Sequence, residues 1–329
     1  MADTLLIVAG VLLVLAVYGD ALATTLTVGG AGPLTRTVLA RLWRLLLGLH
    51  RPDSSSKLLT GAGAGLLFTT VLLWVAGIWA GWTLVFAGSD TVVDAQTSLP
   101  AGFADVAYYA GFTVFTLGVG DFTASDPAGR FVTALASFGG LFLITLAITY
   151  LLSVIGAVVE RRAIAVRINA LGRSSGEIVA KGWNGSSFSS AFVQQLVALT
   201  GQLSTTAEQH LAYPVLHYFR SGQPNTAAPV AVGRLDDAML LLRAGVAPDA
   251  RPDDSAVDPV RDVIARYLET ASATSTAAPA GTPPAPDLAA LRAAGIPAVT
   301  DEEFARAAED EEPRRRLLHQ LVKSNGWSW

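Results

Sequence analysis

The 329-residue sequence contains no cysteine, so disulfide bonds and thiolate metal sites are excluded. Charged residues are also scarce: they make up 15% of the chain, whereas an ordinary soluble domain has about 25%. The deficit lies in the first half, because most lysine, arginine and acidic residues follow Glu160. A net charge of -4 gives no indication of a nucleic-acid partner. The composition therefore predicts a membrane-embedded first half and a soluble second half.

Catalytic patterns are also scarce. The four histidines do not pair with carboxylates at any recognisable spacing, so we expect no enzyme activity. No Gly-x-Gly-x-x-Gly string follows a strand-like run, which argues against a nucleotide-binding α/β domain. We expect no bound cofactor.

Three apolar stretches are long enough to cross a bilayer, which requires about 20 residues. They run from about Leu5 to Leu26, from Leu58 to Ala87 and from Phe131 to Val159. Residues 33–50 repeat leucine at helical spacing, but Arg41 and Arg44 interrupt them, which favours a helix lying on the membrane surface. A voltage-sensing helix is the alternative, although it would need such arginines over several turns.

A fourth apolar segment lies between the second and third stretches. Residues 103–115 are rich in aromatic side chains and would form a helix of about 18 Å, half the thickness of a membrane. The six residues that follow are Thr116-Leu117-Gly118-Val119-Gly120-Asp121, with glycine at alternate positions. Because glycine can adopt positive φ, alternating handedness can turn successive carbonyl groups to the same side.

The Thr-x-Gly-x-Gly-Asp string, flanked by membrane-length segments, resembles the selectivity filter of the tetrameric potassium channels. We call residues 116–121 the filter segment. The resemblance covers residues 58–160 and implies an outer helix, a re-entrant pore helix at 103–115 and an inner helix at 130–159. Residues 1–57 would add one membrane helix and the surface helix, and residues 161–329 would form a separate helical domain.

The resemblance also implies roles for individual residues. The carbonyl oxygens of Thr116, Leu117, Gly118 and Val119 would bind K⁺ as the permeant ion, together with the Thr116 hydroxyl. Gly120 would complete the filter and Asp121 would attract cations at its outer mouth. Gly139 and Gly140 lie where the family has its gating hinge. Two glycines inside a helix, each costing about 1 kcal/mol, indicate a bend or a close helix contact.

One filter segment per chain cannot close a ring, so the resemblance implies a homotetramer. Two glycine pairs in the second stretch, Gly61 with Gly65 and Gly77 with Gly81, permit close helix approach. Leu117 and Val119 replace the valine and tyrosine that are common in the family. The prediction is a potassium-selective cation channel; a non-selective cation channel and a non-conducting receptor or signalling subunit are the alternatives.

Charge predicts the orientation. The connection after the first stretch carries Arg36, Arg41, Arg44, Arg51 and Lys57, whereas residues 88–129 contain neither lysine nor arginine. Positively charged loops remain cytoplasmic. We therefore expect a multi-pass plasma-membrane protein in contact with lipids, with its N-terminus outside and its C-terminal half in the cytoplasm.

The C-terminal half is predicted to be all-α, which makes the whole chain an all-α membrane protein. Residues 272–286 are a low-complexity linker. Periodicity and capping signals predict helices near 186–200, 204–220, 227–245, 255–271, 286–294, 301–310 and 313–324.

Three further groups of charged or titratable residues lie outside the filter segment. Asp20 lies in the first stretch, where we expect it at the headgroup level or paired with Arg36 or Arg41; an ion-sensing carboxylate is the alternative. His210 and His217 are predicted two turns apart on one helix, as packed imidazoles or as a pH sensor. Residues 309–316 place acids before arginines, which predicts a solvated helix whose charges pair with each other.

Overall fold

A computed structural model describes residues 2–49, 57–272, 281–325, 327 and 329. It confirms the all-α class, because most described residues are helical and their strands form one short two-stranded ribbon. The chain divides into two units: Met1–Pro52 with Ala64–Val154, and Asp53–Gly63 with Ile155–Trp329. We call them the N-terminal and C-terminal units.

Five helices account for most of the first half: α1 (Ala2–Leu26), α2 (Pro33–Leu49), α3 (Lys57–Ser89), α4 (Phe103–Val114) and α5 (Pro127–Leu171). Of these, α1, α3 and α5 are long and apolar enough to cross a membrane. The three predicted membrane helices are therefore confirmed. α5 continues without a break beyond the predicted span, because no proline or capping residue interrupts residues 159–171.

A short antiparallel ribbon joins the two ends of the segment between α3 and α5. Strand β1 (Val92–Asp94) pairs with β2 (Phe122–Ala124), with Val92 opposite Ala124 and Asp94 opposite Phe122. The ribbon was not predicted, since three-residue strands are too short to show a period of two. It holds the start and end of this segment together, so that α4 and the filter segment form a closed loop.

Glycines bring α1 against α3. A β-carbon at Gly77 would lie 2.7 Å from Val17, and one at Gly81 would lie 2.7 Å from Val14. On the other helix, a β-carbon at Gly10 would lie 2.6 Å from the Gly81 carbonyl oxygen. The predicted pair Gly77 and Gly81 therefore allows α3 to pack closely against α1, the additional N-terminal helix of the same chain. At Gly61 and Gly65, the other pair, an added β-carbon would meet nothing within 4 Å outside the backbone of its own helix.

Asp20 stabilises the corner between α1 and α2. Its side chain is 1% exposed and accepts hydrogen bonds from the backbone N–H groups of Leu34 (2.8 Å) and Thr35 (3.1 Å) at the start of α2. The Thr35 hydroxyl and the Trp74 indole also donate to it, at 2.5 Å and 2.9 Å. The expected pairing with Arg36 or Arg41 is wrong: the N-terminus of α2, where backbone donors are unpaired, supplies partners instead, and the headgroup-level position stays a prediction.

Replacing Asp20 with alanine should destabilise the N-terminal unit strongly. The substitution leaves several buried donors without an acceptor, and each costs about 1–3 kcal/mol, so we expect a total loss of roughly 3 kcal/mol or more. Thermal unfolding of the detergent-solubilised protein measures it. Asp3→Ala is the matched control, because Asp3 is an exposed acid on the same helix. Equal melting temperatures for the two variants would contradict this role of Asp20.

The second half contains seven further α-helices in the described residues: α6 (Ser175–Gly182), α7 (Ser190–Ala212), α8 (Ala228–Leu240), α9 (Asp254–Ser272), α10 (Ala289–Ala293), α11 (Asp301–Asp310) and α12 (Glu312–Ser324). A π-helical turn, Leu241–Gly245, extends α8. The core is formed mainly by α7, α8 and α9, whose facing side chains include Leu203, Leu235 and Ile264.

Two helix predictions in this half are wrong. Residues 186–200 and 204–220 were expected as separate helices, but α7 runs unbroken across residues 201–203, because Leu203 is buried in the core and keeps the helical spacing. The second predicted helix ends early, since Pro214 begins a short 3-10 helix, Pro214–Tyr218. α6 was not predicted, although Ser174 caps it by accepting a hydrogen bond from the Glu177 N–H.

The arginines of α12 pair with other helices more than with their own. Arg314 lies 2.6 Å from Asp236 and Arg315 lies 3.1 Å from Asp237, both on α8. Of the predicted self-pairing, the Arg316–Glu312 contact is present. Burial raises the pKa of Asp237 to about 6 although Arg315 opposes the shift. Arg315 also donates to the carbonyl groups of Pro283 and Pro284 in the predicted linker, of which residues 273–280 lie outside the described residues.

Candidate ion-conduction site

Helix α4 is held between α3 and α5 by polar contacts at mid-length. The Trp79 indole of α3 donates to the Ala107 carbonyl oxygen at 2.8 Å. On the opposite side, the Tyr109 hydroxyl lies 2.6 Å from the Thr133 hydroxyl of α5. Phe86 meets the Tyr109 ring edge-on, at 5.0 Å between centroids. These contacts fix the short helix between the two long ones, as a re-entrant helix requires.

The glycine pair of α5 lies at two close helix contacts. A β-carbon at Gly140 would lie 1.9 Å from the carbonyl oxygen of Val114, the last residue of α4. A β-carbon at Gly139 would lie 2.2 Å from the Tyr18 hydroxyl oxygen of α1. The structure therefore explains both glycines by close packing, because a β-carbon would collide with a neighbouring helix at either position. α5 is helical through both positions, and their predicted role as a gating hinge stays a prediction.

The filter segment has the alternating backbone handedness predicted from its glycines. φ is 58° at Thr116, 61° at Gly118 and 85° at Gly120, whereas Leu117 and Val119 do not have positive φ. Thr116 is a β-branched residue in the left-handed region, which is uncommon and points to a constraint on function. Alternating handedness of this kind is the backbone pattern that can turn successive carbonyl groups toward one side.

The carbonyl groups of this segment are available for a ligand. The N–H groups of Thr116 and Leu117 donate back to Thr113 (3.1 Å) and Phe112 (2.8 Å), which caps the end of α4. Within the described chain, no carbonyl oxygen of residues 116–120 accepts a hydrogen bond from another protein group. The segment therefore presents unpaired oxygens next to the negative end of the α4 dipole, and both favour a cation.

Asp121 is tied to the structure on two sides. Its carbonyl oxygen accepts from the Ala95 N–H at 2.9 Å, beside the ribbon. Its carboxylate accepts a hydrogen bond from the Phe122 N–H at 3.1 Å and lies near the Tyr108 hydroxyl, and the Tyr108 ring packs edge-on against Phe112 and Phe122. The family's common filter tyrosine is absent from this chain, but Tyr108 supplies a hydroxyl from the pore helix to the same end of the filter segment.

The side chains of the filter segment are uncovered in the single chain. Leu117 is 71% exposed and Val119 is 50% exposed, although both are apolar. Behind the segment, a cavity of about 670 Å³ lies among residues that include Phe112, Thr116, Phe122 and Thr133.

The comparisons with known proteins agree with this geometry. Residues 66–157, which include α4 and the filter segment, match a family described as ion channel. The chain is also 34% identical over 328 residues to the uncharacterized membrane protein YdjJ of Bacillus subtilis (strain 168), covering 98% of this chain and 94% of that protein. This chain belongs to an ion channel pore-domain family. No solved structure matches the channel chain.

Two residues that position the channel's filter segment carry no motif of their own. Trp79 is one of seven tryptophans and Tyr108 is one of seven tyrosines, and nothing in their spacing marks either. Their partners, Ala107 and Asp121, are distant in sequence. The aromatic richness of residues 103–115 is the one signal that could have pointed to Tyr108.

A serine motif in the channel's C-terminal unit is structural. Residues 172–176 read Gly-Arg-Ser-Ser-Gly, which fits the Gly-x-Ser-x-Gly pattern of hydrolase nucleophiles. That pattern functions on a turn between a strand and a helix, but here it joins α5 to α6. Ser174 accepts from the Glu177 N–H at 3.1 Å and serves as the helix cap.

The two histidines do not share a helix as predicted. His210 lies on α7, whereas His217 lies in the 3-10 helix after it. Burial, and then the charges of Arg161 and Arg220, lower the pKa of His217 to about 4. Burial, followed by Arg161 and His217, also lowers the pKa of His210 well below its ordinary value.

We expect the channel to lose stability as the pH falls from about 6.5 to about 4. Over that range the unfolded chain binds a proton at His217 that the folded chain does not, so His217 alone contributes a slope of about 1.4 kcal/mol per pH unit. Thermal unfolding between pH 7 and pH 5 measures it. His217→Gln should flatten the slope and His319→Gln should not; identical slopes in both variants would contradict the assignment.

Proposed function

We propose that four copies of this chain form a cation channel that selects potassium. The carbonyl oxygens of Thr116, Leu117, Gly118 and Val119, repeated around a four-fold axis, replace the hydration shell of K⁺. The Thr116 hydroxyl adds one more ring of oxygens. The observation that carries this proposal is the alternating handedness at residues 116, 118 and 120, together with carbonyl groups at residues 116–120 that accept no hydrogen bond within the described chain.

The single chain supports the tetramer. It has one filter segment, which leaves each oxygen ring incomplete, and closed rotational symmetry completes it. The exposed Leu117 and Val119 side chains and the cavity behind them need covering by a neighbouring copy. Membrane lipids would cover the exposed apolar residues on the outside of α1 and α5, such as Leu12 and Phe131.

The packing of Tyr108 beside the end of the filter segment favours selectivity over a non-selective pore. Discrimination between K⁺ and Na⁺ depends on the geometry and number of the carbonyl groups. The Tyr108 ring of the pore helix packs against Phe122 just beyond the filter segment and restrains that geometry, although Val119 lacks a hydroxyl of its own. The non-selective channel is the alternative because Leu117 and Val119 depart from the common family string.

The charge distribution supports one orientation. Residues 88–129 have no positive residue and would lie outside, which places Asp121 at the outer mouth, where it attracts cations. Arg161, Arg162 and Arg167 follow the third membrane helix and keep the C-terminal unit in the cytoplasm.

Reconstitution of the purified protein in liposomes tests the proposal. In mixed K⁺ and Na⁺, the reversal potential should move by about 59 mV for each tenfold change in the K⁺ ratio. Native mass spectrometry should give four chains per particle. A reversal potential that follows both ions equally would support the non-selective channel, and absence of flux with a monomer or dimer would support the receptor.

A further inference from the structure

A small cavity with a concentration of positive charge lies in the C-terminal unit. Its volume is about 130 Å³, and it lies between the α5 residues just past the third apolar stretch, the loop at residues 219–222 and the start of α8. We call it the basic pocket. Pockets for drug-sized ligands measure about 300–1,000 Å³, so this one suits a single small group.

Three arginines line the basic pocket without a carboxylate. Arg161 donates to the carbonyl groups of Leu216 (2.7 Å) and Phe219 (3.2 Å), and the Arg220 Nε donates to the Asn325 carbonyl at 3.0 Å. Arg162 is exposed and has no protein partner in the described chain. None of the described acidic residues forms an ion pair with any of the three, whereas Arg314 and Arg315 in the same unit are paired.

Neutral donors of the same pocket also suit an anion. α8 begins at the pocket with Ala228 and Pro229, and no side chain caps its N-terminus. The first N–H groups of a helix have no intrahelical partner and carry partial positive charge; in α8 Ala228 and Val230 have such groups, whereas Pro229 has no N–H. The hydroxyl groups of Ser221 and Thr226 line the pocket as well, where they bond to each other and to the Gln223 carbonyl oxygen.

The positive charge of the pocket also contributes to the low pKa values of the neighbouring histidines. Burial is the main cause of the low pKa of His217, and the charges of Arg161 and Arg220 lower it further. Burial also lowers the pKa of the Arg220 guanidinium. A partly buried arginine cluster disfavours any further positive charge beside it, such as a protonated histidine. A bound anion would stabilise such a cluster.

We propose that the basic pocket binds a phosphate group, carried either by the headgroup of an anionic lipid or by a soluble phosphate. Arg162 and Arg220 supply the charged donors, because their guanidinium groups match phosphate oxygens in planar, bidentate geometry. The α8 N-terminus adds backbone donors, as helix N-termini do at phosphate sites. A ligand here connects the end of α5, the predicted inner helix, with α8.

Thermal unfolding of the delipidated full-length protein in detergent tests this binding independently of ion conduction. Inorganic phosphate and phosphatidylglycerol should each raise the melting temperature. The controls, chloride at equal ionic strength and phosphatidylcholine, should not. Losing both charges in Arg162→Gln/Arg220→Gln should weaken the apparent affinity about tenfold or more. Arg167→Gln is the matched control, because Arg167 is exposed on α5 and does not line the pocket.

The single variant Arg162→Gln keeps the test valid if the double variant does not fold, because Arg162 makes no hydrogen bond within the described chain. Stabilisation by phosphatidylglycerol alone would assign the site to a lipid headgroup. Stabilisation by inorganic phosphate alone, or by both, would assign it to the phosphate group itself. No stabilisation of the wild-type protein by either probe, or an equal loss of affinity in Arg167→Gln, would overturn the proposal.

Discussion

Gly118→Ala should abolish ion flux while leaving the protein folded. φ at Gly118 is 61°, and the left-handed region costs a residue with a β-carbon about 1–2 kcal/mol. In a four-fold ring the penalty applies in each subunit, which gives roughly 4–8 kcal/mol against the conducting geometry. Since about 1.4 kcal/mol is a factor of ten, flux should fall at least a hundredfold in liposome uptake of a K⁺ analogue such as rubidium.

Gly295→Ala is the matched control for this experiment. Gly295 has a φ of 71°, and, as at Gly118, nothing lies within 4 Å of a β-carbon built there. It carries the same conformational penalty, but it follows α10, in the C-terminal unit. Its variant should lose some thermal stability and retain flux per folded channel. If Gly118→Ala conducts as well as Gly295→Ala, residues 116–120 do not line the pore.

Gly140→Ala should displace the pore helix and prevent formation of a functional channel. Its β-carbon would lie 1.9 Å from the Val114 carbonyl oxygen, and this backbone cannot rotate away as a side chain can. Overpacking of this kind costs about 1–3 kcal/mol or more, which exceeds the gain of about 1 kcal/mol from replacing a helical glycine. We expect a lower melting temperature, fewer tetramers in native mass spectrometry and no flux.

Two further variants in α5 distinguish a close-contact role of Gly140 from a role as a gating hinge. Gly139→Ala meets the Tyr18 hydroxyl at 2.2 Å, which is the end of a side chain and can move, so its effect should be milder. Gly156→Ala meets nothing within 4 Å and should stabilise the same helix. If the pair acts as a hinge, Gly139→Ala and Gly140→Ala should instead reduce opening to a similar extent, with tetramers intact.

The elements predicted best are those that depend on local patterns. The boundaries of α4 agree with the predicted pore helix to one residue, because residues 103–115 are apolar and are followed by alternating glycines. Helix α7 was predicted less well. A break was predicted at residues 201–203 from weak local signals. The helix is continuous there because Leu203 is buried in the core.

Charged residues were predicted least well, because their partners lie far away in the chain. Asp20 was expected near arginines of the next helix, but it accepts from the backbone of Leu34 and from the Trp74 indole. Arg315 was expected to pair with its own helix, but it pairs with Asp237 on α8. Hydrophobic periodicity describes which face of a helix is buried, and it does not identify the element that covers that face.

The sequence by itself determined the three membrane-length helices, the half-length helix before the filter segment and the alternation of glycines within it. Each follows from the length, hydropathy or conformational freedom of adjacent residues. Only the tertiary structure decided that Gly139 and Gly140 are contact points, that Asp20 caps α2 and that three arginines share one pocket. Those roles depend on packing between distant segments, which local preferences do not specify.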